Sequence, residues 1–121
     1  TELVLRVQAL LRRAQLETEK LLRFEHTRLD YNALTLTDLE RDEVYQIPRK
    51  EFYLLYKLLS NPEKIFTRLD LLDDIWGMEE DLDERLVDAC IKRVRQKFKE
   101  NKDFEIVTIR GLGYKGTIKN G

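Results

Sequence analysis

Between Asp83 and Lys99, apolar residues fall at Val87, Cys90, Ile91, Val94 and Phe98, spaced i, i+3, i+4, i+7 and i+11. This spacing predicts an amphipathic helix with one buried stripe. Upstream, PRKEFYLLYKLLSNP repeats it with Phe52, Leu55, Tyr56 and Leu59. Pro48 opens that helix where a missing N–H costs nothing, and Ser60-Asn61-Pro62 ends it. A T-x-x-D cap at Thr67 and Asp70 starts a further helix carrying Leu69, Leu72, Ile75 and Trp76, closed by Gly77; Trp76 on this stripe reads as core. From Leu21 to Ile47 the pattern breaks into LLRF, TRLDY, LTL and EVYQI, with turn candidates at Asp30 to Asn32 and Asp38 to Asp42. Short β-branched and aromatic pieces of this kind predict a small antiparallel meander. FEIVTIRGLGYKGTIK predicts a hairpin turned at Arg110-Gly111-Leu112-Gly113, with both glycines supplying positive φ. At the start, Leu3, Val7, Leu10, Leu11 and Ala14 line one face of an amphipathic helix, too short to be stable alone, before the linker-like QLETEK.

Charge changes the meaning of the 83–99 helix. The net charge of −1 argues against a polyanion partner, but its distribution argues for one. Asp70 to Glu84 holds eight carboxylates and no base, whereas Arg85 to Lys102 holds seven bases (Arg85, Lys92, Arg93, Arg95, Lys97, Lys99, Lys102) against Asp88 and Glu100. A merely solvated face mixes its signs for i, i+4 pairing; this one leaves most positive charges without a local partner. The acidic block and the basic helix therefore suit two different partners. Arg110, Lys115 and Lys119 make the hairpin's exposed side a second cationic surface.

At 121 residues the chain suits one domain with an appended segment. No apolar run approaches a membrane span, no secretory signal is visible, and the single Cys90 forms no internal disulfide, which points to a reducing, cytoplasmic setting. Candidate catalytic chemistry is weak. His26 has no Cys or second His beside it and reads as a surface or turn residue. The acidic loop Met78 to Glu84 lacks the register of a calcium loop, and the G-L-G of the hairpin lacks the rest of a phosphate-binding fingerprint. Neither a catalytic residue, a metal nor a cofactor is expected, and the chain does not read as an enzyme. Two binding readings remain: a DNA-binding module, and a protein-interaction module using the acidic loop and the Thr1 to Ala14 helix, with a metal-dependent hydrolase a distant third.

Three helices, the third basic, followed by a Gly-turn hairpin describe an α+β winged helix-turn-helix with an N-terminal antiparallel sheet and a C-terminal wing. The motifs Pro48-Arg49-Lys50-Glu51-Phe52, Thr67-Arg68 with Leu71-Leu72, Ile75-Trp76-Gly77, Asp83-Glu84-Arg85, Val87-Asp88, Ile91 to Lys97 and Ile109 to Tyr114 together resemble the OmpR/PhoB family of response regulators. The resemblance covers residues 21–121 as an effector domain. Residues 1–20 resemble the last receiver helix and linker, which implies that the phosphoacceptor machinery lies upstream of Thr1.

The resemblance also assigns sites. It implies that the 83–98 helix lies in the major groove, with Arg93 and Asp88 reading bases; Leu86, where the family often has Thr, meets a thymine methyl. Arg85, Lys92, Arg95, Arg68, Thr108 and Tyr114 fall on or near the phosphate backbone, and Arg110 enters the minor groove. The loop Met78, Glu79, Glu80, Asp81, Leu82, Asp83 and Glu84 corresponds to a polymerase-contact segment. Implied partners are double-stranded promoter DNA, RNA polymerase, a second copy in tandem on DNA, and a sensor kinase acting on the receiver. Cys90, where the family often has His, reads as a buried inert thiol.

Overall fold

The computed structural model describes residues 20–77 and 82–119. The expected Thr1 to Ala14 helix and most of the acidic loop, Met78 to Asp81, lie outside the described residues. Strands β1 (Leu21–Arg23), β2 (Thr27–Asp30), β3 (Thr35–Asp38) and β4 (Glu43–Gln46) form the expected antiparallel meander in chain order. Two aspartates build its turns in the same way. Asp30 Oδ1 accepts from the backbone N–H groups of Asn32 and Ala33, and Asp38 Oδ1 accepts from those of Glu40 and Arg41. Each short carboxylate replaces a backbone acceptor while the chain reverses. Leu29 and Leu36 pair across β2 and β3 and are buried, whereas all four residues of β4 are exposed.

Helix α1 (Arg49–Ser60) runs through the middle of the domain and contacts the first sheet, both other helices and the wing. Its buried arc is accordingly wider than a single stripe: Phe52, Leu54, Leu55, Leu58 and Leu59 are buried, and Tyr56 sits at the edge against Tyr31 and Phe52.

Helix α2 begins at Arg68–Leu71 and continues as a π turn over Leu72–Trp76. Its capping box is complete: Thr67 Oγ1 accepts from the Asp70 N–H and Asp70 Oδ2 from the Thr67 N–H. Gly77 at φ 67 stops it, as its sequence position predicts. The buried residues differ from the expected stripe. Leu71, Leu72 and Trp76 turn inward, while Leu69 is 55% exposed. A π turn advances less per residue than an α turn, so the buried face rotates toward Leu71 and away from Leu69.

Helix α3 (Arg85–Lys97) buries Val87, Cys90, Ile91 and Val94 as its period predicts, with Phe98 half-buried just beyond. The wing is β6 (Phe104–Ile109) and β7 (Gly113–Ile118), and the two-residue β5 (Phe66–Thr67) pairs with β7 to make the sheet order β5-β7-β6. That third strand corrects the reading of Gly113. Only Gly111 of the turn pair has positive φ, at 80°. Gly113 is needed for space, because a Cβ there would stand 2.0 Å from the Phe66 carbonyl oxygen on the paired strand. Among the described residues no helix is long and apolar enough to cross a membrane, and no cluster of His, Cys, Asp and Glu is arranged to hold a metal.

A buried polar knot ties the first sheet to the root of the wing. Asp103, 3% exposed, accepts from Thr27 Oγ1 at 2.5 Å and from the His26 backbone N–H at 3.0 Å. Asn101 Nδ2 donates to Thr27 Oγ1, and Asn101 Oδ1 accepts from the Asp103 N–H. Replacing Asp103 with Ala leaves a buried hydroxyl and N–H without their acceptor. Asp103→Ala is expected to destabilise the domain by about 2–3 kcal/mol and Asp103→Asn by less, read as a lower urea midpoint at unchanged slope; equal midpoints for Asp103→Ala and wild type would rule the knot out as a stabilising contact.

Candidate nucleic-acid interface

The buried stripe of α3 fixes what its other side presents. Opposite Val87, Cys90, Ile91 and Val94, the exposed centre of the helix carries Arg85, Ala89, Lys92 and Gln96, with Lys99 following beyond its end. One flank carries Leu86, Arg93 and Lys97 and adjoins the start of α1; the other carries Asp88 and Arg95 and adjoins the wing. The side chains of Lys92, Lys99 and Arg110, the last on the exposed wing turn, make no ion pair or hydrogen bond with any described residue. Arg85 pairs only with its neighbour Asp83, whose carboxylate also caps the helix at the Arg85 N–H. The result is a row of available cations along the helix and onto the wing, beside an open groove lined by Asp88, Lys92, Arg95, Gln96, Lys99 and Tyr114.

The remaining candidates are engaged by contacts within the chain. Asp88 Oδ2 receives Arg68 Nη1 at 3.0 Å and Asp88 Oδ1 receives the Tyr114 hydroxyl at 2.5 Å, so one carboxylate joins α2, α3 and β7. Arg68 also meets Glu84 at 3.5 Å. Tyr114 is buried, and its phenol is pushed up to about 12, first by burial and then by the hydrogen bond to Asp88. Arg95 donates to the Ile106 carbonyl from Nε and Nη2, at 3.1 and 2.9 Å, and from Nη2 to Thr108 Oγ1, while its guanidinium lies 5.6 Å from the Tyr114 ring centroid. These contacts hold the wing at a set angle to α3. Of the residues assigned by resemblance, the structure therefore gathers Arg85, Leu86, Lys92, Arg93 and Arg110 on the outer surface, with Thr108 exposed beside them. Asp88, Arg68, Arg95 and Tyr114 form a brace beside it.

In the acidic segment, Leu82 packs at the edge of the core, while Asp83 and Glu84 serve Arg85 and Arg68. Cys90 is fully buried and its thiol is pushed up to about 11 by that burial and by the Glu51 carboxylate. His26 meets Glu40 at 2.9 Å beside the pocket that the first sheet shares with Lys97 and Phe98 at the end of α3. Sequence reasoning passed over Ala89, although the helical period itself puts it between Arg85 and Lys92; only its lack of charge hid it. Glu51 figures in the sequence only within the helix-start motif, because its partners Arg93 and Lys97 are distant in the chain.

A sequence profile for the family described as "Transcriptional regulatory protein, C terminal" matches residues 42–116. The heme response regulator HssR of Staphylococcus epidermidis is 39% identical over 115 residues, which is 94% of this chain and 50% of HssR. The chain thus spans about half the length of the curated relatives it matches. Among solved structures, the response regulator DrrB of Thermotoga maritima, an OmpR/PhoB homologue, superposes with a TM-score of 0.68 at 32% identity, covering 91% of this chain and 52% of DrrB. The DNA-binding domain of Klebsiella pneumoniae RstA, solved in complex with its RstA box, superposes with a TM-score of 0.67 at 27% identity, covering 81% of this chain and 97% of that domain. Sheet, three helices, wing and profile agree, and the chain belongs to the transcriptional regulatory C-terminal family, the winged-helix DNA-binding domains of OmpR/PhoB-type response regulators.

Proposed function

We propose that this domain binds promoter DNA sequence-specifically by laying α3 in the major groove and the wing tip against the adjacent minor groove, and that it thereby regulates transcription as the effector part of a two-component response regulator. The observation that carries this reading is the row of outward-facing cations: Lys92 and Lys99 on α3 and its extension and Arg110 on the wing, with Arg85, paired only to its neighbour Asp83, at the start of the helix. An α-helix fits the major groove, and a row of this kind follows its phosphate edge. Phosphate contacts set the register, and base reading falls to what projects between them.

Arg93 is the principal reader in this proposal: it is 59% exposed and its guanidinium fork matches O6 and N7 of guanine. Leu86 and Ala89 offer apolar surface to thymine methyls. Asp88 is assigned chiefly to the brace, because both of its oxygens already accept hydrogen bonds, and Arg95 and Arg68 help to hold the wing before they hold DNA. The proposal extends to tandem binding of two copies on direct repeats, to a polymerase contact through Met78 to Glu84, to a cytoplasmic location, and to control by a sensor kinase acting on a receiver domain of the whole protein.

Two measurements test the interface. With Arg85, Lys92, Lys99 and Arg110 as the phosphate-neutralising set, the log–log plot of affinity against salt is expected to have a slope of about −3.5 per protomer; a flat plot on any duplex would contradict DNA docking by this surface. On a duplex enriched from random sequence by the wild-type protein, Arg93→Ala should cost about 1–3 kcal/mol and relax selectivity at a guanine, whereas Lys92→Ala should weaken enriched and scrambled duplexes alike. Equal losses on both duplexes for both variants would remove the division between reading and holding.

A further inference from the structure

Glu51 is an unusual residue to find inside this interface. It lies in the first turn of α1, where an acidic side chain suits the helix N-terminus, yet its side chain is only 8% exposed and it approaches the basic helix rather than solvent. Its Oε1 accepts from Lys97 Nζ at 2.8 Å, and its Oε2 stands 3.6 Å from Arg93 Nε. A buried carboxylate has to be paired. Here both counter-charges come from one flank of α3, and both cations keep an outer surface in water, 59% exposed for Arg93 and 42% for Lys97.

The edge of the guanidinium that Glu51 faces is decisive. Arginine reads guanine with two N–H donors of its fork. Glu51 Oε2 stands 3.6 Å from Nε, on the inner side, and the two Nη groups of Arg93 make no hydrogen bond with any described residue. Lys97 binds the same carboxylate, so the negative charge is shielded from a DNA backbone instead of repelling it. A long side chain that is otherwise free to rotate is thereby biased toward one orientation, which lowers the ordering entropy lost when it meets a base.

We infer that Glu51 is a positioning residue for base reading: its buried carboxylate anchors Arg93 by the inner edge of the guanidinium and keeps Arg93 and Lys97 from acting as indiscriminate phosphate contacts. The inference rests on Arg93 as the reader, and it makes Glu51 a determinant of selectivity that itself touches no DNA. It also gives the interface an order of function. The available cations capture DNA of any sequence, and the anchored arginine then discriminates.

The test is a double-mutant cycle with Glu51→Gln and Arg93→Ala, measuring binding of the 121-residue chain to an enriched duplex and to a scrambled duplex of the same composition, with melting temperature recorded for each variant. Glu51→Gln should lower the enriched-to-scrambled affinity ratio about 5–10-fold, chiefly through the enriched duplex. Binding to the scrambled duplex should hold or tighten about twofold, and its salt slope should steepen by up to about 1 as Arg93 and Lys97 are released to phosphates. In the Arg93→Ala background the same change should leave the ratio untouched, because the anchored group is gone. Glu51→Asp, which keeps the charge but withdraws it by one methylene, should lie between wild type and Glu51→Gln and serves if the glutamine variant does not fold. An unchanged ratio in the folded Glu51 variants, with Arg93→Ala losing it, overturns the role of Glu51 alone. Parallel loss on both duplexes together with a lower melting temperature reduces Glu51 to a packing residue and overturns it as well. A full ratio in Arg93→Ala removes Arg93 as the reader and the anchoring role with it.

Discussion

Everything that this domain offers to a partner depends on burying one face of α3. Val87, Cys90, Ile91 and Val94 are each essentially inaccessible, and full burial of an aliphatic side chain contributes about 1.5–3 kcal/mol. Together they outweigh any single polar contact of the interface, which is worth about 1 kcal/mol net. The stripe therefore decides which way α3 faces, and the cations follow because they occupy the complementary positions of the same period. Helix α1 supplies the surface for that burial and is itself enclosed by the first sheet, α2 and the wing. The peripheral elements hold α1 in place, and α1 holds α3.

On this scaffold the charges divide into two classes. Arg68, Arg95, Asp88 and Tyr114 are consumed in joining α2, α3 and the wing, while Arg85, Lys92, Lys99 and Arg110 face outward. This division explains how a chain with a net charge of −1 presents a cationic surface. Acidic residues that lower the net charge are placed at the brace, at the start of α3 and in the turns of the first sheet, where they pair with cations or cap turns; of the outward row only Arg85 is paired, to its neighbour Asp83.

The helices were legible in the sequence because their causes are local. The period of α3, the capping box at Thr67 and Asp70, and the stop at Gly77 each lie within a few residues of the effect they produce. The turns at Asp30 and Asp38 were legible for the same reason. What the sequence hid was set by distant partners. Gly113 reads as a turn glycine until β5 approaches it, and the stripe of α2 reads as α-helical until the π turn rotates it. Val44 and Tyr45 are apolar residues in a strand, but β4 is the outer strand of its sheet and leaves them 63% and 40% exposed. The contacts that set the site itself, Asp88 to Tyr114 and Glu51 to Lys97, join residues 26 and 46 positions apart, and no local pattern announces them.

Cys90 gives the buried face of α3 a further consequence. It is the chain's one cysteine, it lies in the middle of the stripe, and burial keeps its thiol both inaccessible and protonated near neutral pH. A thiol reagent reaches it only when α3 lifts from α1, so the alkylation rate of the native domain is a direct measure of how often the helix opens. Because a ligand that binds only the closed helix lowers the open population in proportion to its occupancy, the same sulfur would report such binding from the buried side of the helix.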